Sequence, residues 1–166
     1  AKGYNALALN TSGTQPKVIQ DILKHVHGKK QGTGPADEVG TTLYNRGMVS
    51  AALAVEGVRA AQDRFGKGKV MNGDQIRWGL ENLNMDDKAL KKLGLDSVMK
   101  PLSTSCLDHE GSRTARLHTW DGKKWNFTSD WMQQDDAIIK PMIKAAADKY
   151  AAEKKWTRRT GQDCQS

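Results

Sequence analysis

A chain of 166 residues, 37% hydrophobic and 27% charged, is long enough for one domain that buries roughly 68–70% of its unfolded surface. With 16 Gly, 4 Pro and 2 Cys it is neither disordered, collagenous nor a disulfide-dense scaffold, and no run approaches the roughly 20 apolar residues of a membrane-spanning helix. The net charge of +7 admits nucleic acid, anionic lipid or acidic ligands, but the cations are scattered in pairs such as Lys29-Lys30 and Lys91-Lys92 near turns and helix ends, as on a solvated surface.

The first residues show no charged region followed by an apolar one, so no targeting segment is read there, and the start at Ala1 without Met is read as processing or truncation upstream. Tyr4 to Leu9 is a short apolar run before Asn10-Thr11-Ser12-Gly13 and predicts a buried strand entering a loop. Val18, Ile19, Ile22, Leu23 and Val26 recur at helical spacing after Pro16, with Thr14 as the expected N-cap and Gly28 as the stop. Gly28 to Ala36 holds four breakers and predicts a surface loop. Leu43 to Phe65 predicts the longest helix, with an apolar stripe through Met48, Ala51, Ala52, Val55, Val58 and Ala61. Its Gly47 and Gly57 each cost about 1 kcal/mol relative to Ala, so another element is expected close against them.

A second helix capped by Asn72 or Asp74 carries Ile76, Trp78, Leu80 and Leu83, and a third runs from Asp86 to Leu93 and closes at Gly94. Ala115, Leu117 and Thr119 alternate with Arg116, His118 and Trp120 up to Asp121-Gly122, a hairpin signal. A last helix over about Asp136 to Lys154, with Ile138, Ile139, Met142, Ile143, Ala146 and Tyr150 as its expected buried stripe, contains Pro141, which kinks it or marks its main start. The polar tail from Trp156 to Ser166 frays unless something ties it down.

The glycine-rich fragments match no phosphate-loop pattern, since Gly28 to Gly34 lacks G-x-x-x-x-G-K-[ST] and Gly66-Lys67-Gly68 follows a helix. Cys106, Asp108, His109, Glu110 and His118 are the densest set of potential ligands, but neither a second zinc-type pair nor H-E-x-x-H is present, so no metal, cofactor or catalytic residue is assigned. His25 and His27 flank a helix C-terminus and read as surface residues. Trp120, Trp125, Trp131 and Trp156 are candidate stacking platforms for bases or sugars, but Trp120 and Trp125 flank the hairpin turn, where cross-strand packing is the expected reading. Tyr44-Asn45-Arg46 opens the long helix and either faces a ligand carboxylate or braces the helix. Cys106 and Cys164 are either two thiols or a bridge closing about 60 residues, worth roughly 4 kcal/mol in the chain-entropy account.

Taken in order, AKGYNALALNTSG, PKVIQDILKHV, VGTTLYNRGMVSAALAVEGVRAA and CLDHEGSRTARLHTWDGKKW resemble the C-terminal part of branched-chain amino-acid-type (type I) periplasmic solute-binding proteins of ABC importers. The resemblance implies an α/β fold: the C-terminal lobe of such a receptor, a parallel sheet flanked by helices plus a C-terminal antiparallel hairpin. Residues 1–166 would form one incomplete lobe, a fragment covering about two fifths of a two-lobe protein whose N-terminal lobe is missing. The implied function is binding without enzymatic chemistry: two lobes close around a branched-chain amino acid, an amide or an aromatic carboxylate, and the closed form docks on a membrane permease. The chain would be exported to the bacterial periplasm, its signal peptide lying outside these residues, with an amino acid or aromatic acid and the ABC permease as partners and no nucleic acid.

Since open α/β sheets bind at strand carboxyl ends, the expected ligand wall is Asn10, Thr11 and Ser12 together with Thr41, Thr42, Tyr44 and Arg46. The chain alone would keep one wall of the site. An oxidising compartment then favours the bridge between Cys106 and Cys164 over two thiols. Two alternatives from other classes are a small hydrolase using the Cys106/His109 region and a basic nucleic-acid-binding module.

Overall fold

The computed structural model describes residues 2–164. In chain order they form strand β1 (Asn5–Ala8), helix α1 (Lys17–Ile22) continuing in a π-helical turn over Leu23–His27, a 3-10 turn (Ala36–Glu38), and helix α2 (Thr42–Phe65). Then come α3 (Gly73–Leu80), β2 (Asn84–Met85), α4 (Asp87–Leu93), β3 (Leu102–Ser103), β4 (Thr114–Trp120), β5 (Trp125–Phe127), β6 (Met132–Gln133) and α5 (Asp136–Lys154).

Every described strand pairing is antiparallel, which corrects the expected parallel sheet of a receptor lobe. The physical reason lies in the order of elements. Two parallel neighbours need a crossover between strands of like direction, yet β2 and β3, the strands that follow α2, are two residues each and pair with one another. β1 is left to pair with β4, in the register Asn5↔Thr119 to Ala8↔Arg116. β4 then turns at Asp121-Gly122 into β5, pairing His118↔Phe127 and Trp120↔Trp125, while its other end pairs with β6. The sheet runs β1-β4-β5, which leaves β1 as an edge.

The core lies among the helices. Met85, Leu90, Leu95 and Met99 are buried together, with Val18, Met48, Val49, Ala52, Leu53 and Leu102 packed against them. Each fully buried leucine contributes roughly 1.5–3 kcal/mol. The face of α2 that is covered therefore starts at Asn45 and passes through Val49, Leu53, Gly57 and Ala61; Val55 and Val58 of the expected stripe are exposed.

Helix ends follow local chemistry. Asn72 caps α3 in a reciprocal box with Gln75, Asp86 caps α4, and Gly94 closes α4 at φ 70. Position Thr14 is not the cap of α1; Pro16 stands there, and its side chain cannot accept a hydrogen bond. Nor is β1 a buried strand, since Ala8 alone of its residues is buried and Tyr4, Leu7 and Leu9 are each about 60% exposed. Leu83 falls beyond the end of α3.

Candidate functional site

Two loops meet at one end of α2. The loop after β1 is tied down at both ends, Thr11 N–H donating to the Val98 carbonyl at 2.7 Å and Gly13 N–H to the Gly40 carbonyl at 2.7 Å. Gly40 holds φ 93, and a Cβ there would collide with the Thr14 methyl, so a glycine is needed for this approach. Immediately after it, Thr41 caps α2 by accepting from the Tyr44 N–H at 3.3 Å. Asn45, fully buried one turn in, donates from Nδ2 to the carbonyls of Thr11 and Gly13, both at 3.0 Å.

The two loops form one wall of a cavity of about 850 Å³, lined on this side by Thr11, Ser12, Gly13, Gln15, Thr41 and Thr42. The facing wall is the β4–β5 hairpin: Trp120, Trp125, Phe127, Asn126, Lys123 and Lys124. Alternate residues of a strand share a face, so Arg116 lies on the same face as His118 and Trp120, whose cross-strand partners are Phe127 and Trp125. The rings are packed in series: His118 stacks on Trp125 at 4.1 Å, Trp120 lies 5.5 Å from Trp125, and Tyr4 meets Trp125 edge-on at 6.1 Å. Behind them the Arg116 guanidinium covers the Phe127 ring at 3.3 Å and donates from Nη2 to Thr11 Oγ1 at 2.7 Å, bridging the two walls.

The electrostatics follow from burial. His118 is buried, and desolvation, aided by the charge of Arg116, holds its imidazole below its ordinary pKa. Burial also lowers Arg116, which nonetheless stays charged. Asp121 in the hairpin turn accepts from the backbone N–H groups of Lys124 and Lys123 and from Asn126, and these bonds hold its carboxyl below the usual range.

Of the expected wall, Thr11, Ser12, Thr41 and Thr42 are brought together in this cavity. Asn10 is buried beneath the loop, Tyr44 is half-buried, and Arg46 is exposed; none of the three lines it. Sequence reasoning gave Arg116 no role, and of the two readings left open for Tyr44-Asn45-Arg46 the bracing one holds at Asn45. The signal for Arg116 was its alternate spacing with His118 and Trp120, which already placed it on the aromatic face.

A second constellation surrounds Cys106. Its sulfur is bonded to that of Cys164, with Cα atoms 5.5 Å apart, so the hydrolase alternative has no thiol there to attack with. The bond brings the tail alongside Glu81, whose buried carboxylate receives Arg159 Nη1 at 2.6 Å and has His109 Nε2 at 3.4 Å. Burial alone would raise the Glu81 carboxyl; the Arg159 hydrogen bond and charge outweigh it and hold the group low. The last two residues of the tail, 165 and 166, lie outside the described residues. Among the described residues no group of three or more His, Cys, Asp or Glu side chains could hold a metal ion, and no helix is long and apolar enough to cross a membrane.

No protein-family model matches the chain, and no curated protein matches it. A solved structure described as an ABC transporter permease from the Pseudomonas fluorescens group is 40% identical and superposes with a TM-score of 0.87, over 97% of this chain and 39% of that one. The chain thus spans about two fifths of the length of the protein it matches. That description corrects the reading as a periplasmic solute-binding protein of the branched-chain type, because the matched structure is described as the permease itself. With it go the separate permease as a partner, the amino acid or aromatic acid enclosed between two lobes, and the periplasmic location. The relation to ABC transport is what the resemblance and this neighbour share.

Proposed function

We propose that these residues form a water-facing part of an ABC-transporter component of the permease kind. The observation that carries the reading is the likeness itself: 40% identity sustained along 97% of the chain, with a TM-score of 0.87. Identity at that level along nearly the whole chain goes beyond a shared architecture, which on its own says little of function. Among the described residues no helix can span the bilayer, so attachment to the membrane is assigned to polypeptide beyond these residues or to a companion subunit. Within this reading the wall of Thr11, Ser12, Thr41 and Thr42 faces a small ligand of the transporter, and the residues bind without making or breaking covalent bonds.

Fractionation of cells producing the full-length protein tests this. The protein is expected to sediment with membranes and to stay there through osmotic shock and a high-salt wash. Quantitative release into the soluble fraction by osmotic shock would overturn it.

A further inference from the structure

Arg116 differs from the other arginines that are drawn into the body of the molecule. Arg113 is paired with Asp108, Glu110 and Asp136, and Arg159 with Glu81. Arg116 forms no ion pair with any carboxylate of the described residues; its neighbours are the Phe127 ring at 3.3 Å, the Trp131 ring at 4.7 Å and the Thr11 hydroxyl at 2.7 Å. Its Nε is buried and has no hydrogen-bond partner. Withdrawing a guanidinium from water without a counter-charge is costly, and the two aromatic faces offset that cost only in part.

The surroundings add positive charge. Two of the groups Arg116 touches, Thr11 and Phe127, line the 850 Å³ cavity, and Lys123 and Lys124 stand exposed on its rim. No Asp or Glu lines it. The acid of the hairpin turn, Asp121, is already taken up by the Lys123 and Lys124 N–H groups at 2.8 and 2.9 Å and by Asn126. Low-dielectric walls of this kind concentrate the field of the cations within the cleft.

We propose that this cavity receives a small organic anion, its charged group seated at Thr11 within the field of Arg116, Lys123 and Lys124, and its apolar body lying on Trp120 and Trp125. Amino acids and amines are excluded by the same chemistry, because their ammonium group finds no carboxylate in the lining. The proposal rests on the ligand-facing reading of this wall, and it stands whether or not the protein stays with the membrane.

Calorimetric titration of the full-length protein with three probes of similar shape tests it: benzenesulfonate, benzyl alcohol and benzylammonium. Benzenesulfonate is expected to bind saturably and the other two not, with at least tenfold weaker binding in Arg116→Gln. A double variant of exposed turn residues, Lys123→Ala with Lys124→Ala, is expected to weaken binding several-fold while leaving the fold intact, and it decides the matter should the Arg116 variant fail to fold. Absence of benzenesulfonate binding, equal binding of the alcohol or the amine, or binding unchanged in the folded variants would overturn the proposal. A protein found soluble on fractionation that still binds benzenesulfonate would overturn the transporter reading alone.

Discussion

Asn45 joins a helix to a loop through a single amide, its Nδ2 serving the carbonyls of both Thr11 and Gly13 from a position with no solvent exposure. Asn45→Ala removes both donors and leaves those carbonyls without their partner, which costs roughly 1–3 kcal/mol. Urea unfolding should show that loss, together with faster amide exchange at Gly13. His118 offers a second check, since burial holds its imidazole neutral in the folded chain. Below pH 6.5 the unfolded chain takes up a proton that the folded chain refuses, so stability falls as the pH drops from there toward the lowered folded value and is unaffected above it. The slope is at most about 1.4 kcal/mol per pH unit, and unfolding of His118→Phe between pH 7.5 and 5.5 should lack that contribution. At this scale the sequence placed Thr11, Ser12, Thr41 and Thr42 next to the ends of β1 and α2, because strand and helix ends announce themselves through turn and cap residues. It did not disclose which neighbour of Tyr44 turns inward: Tyr44, Asn45 and Arg46 differ in burial by their angle around α2, and that angle is set by tertiary packing.

Helices α2 and α3 cross where two glycines meet, and each was legible to a different degree. A Cβ on Gly79 would run into the Gly57 carbonyl oxygen, and one on Gly57 would come within 2.5 Å of the Leu80 side chain. Gly47 faces open space instead, so the expected close approach holds at one glycine of α2 and not at the other. Gly79→Ala should therefore cost about 1–3 kcal/mol through overpacking, whereas Gly47→Ala should gain up to about 1 kcal/mol through helix propensity. Thermal unfolding of the two variants compares them directly, and destabilisation by both would remove the distinction. Propensity and capping also marked out α3, α4 and the turn at Asp121-Gly122, all of which rest on local chemistry. Strand direction rests on distant partners. β1 reads as an ordinary apolar strand, and nothing within Asn5–Ala8 says that it will lie antiparallel to a strand more than a hundred residues away.

The whole chain exposes 11452 Å², against about 8,100 Å² for a compact monomer of its mass. The excess of roughly 3,300 Å² lies on this chain alone and exceeds the roughly 1,000–2,500 Å² that one partner contributes to a permanent interface. Two stretches of exposed apolar residues lie on regular elements: Leu7 and Leu9 on and beside edge strand β1, and Ile138, Met142, Ile143 and Tyr150 along α5, are between 43% and 64% exposed. Exposed apolar faces of that kind mark interaction sites. The sequence carried the apolar residues of α5 and β1 but not the absence of a surface to receive them, which is a property of the assembled molecule. The proposed role in transport belongs to this scale as well, and the most direct measurement of it is an ATPase assay on the tagged full-length protein purified from detergent-solubilised membranes. An ATP-hydrolysing subunit is expected to co-purify with it in fixed proportion; a protein recovered without any associated ATPase would contradict that role.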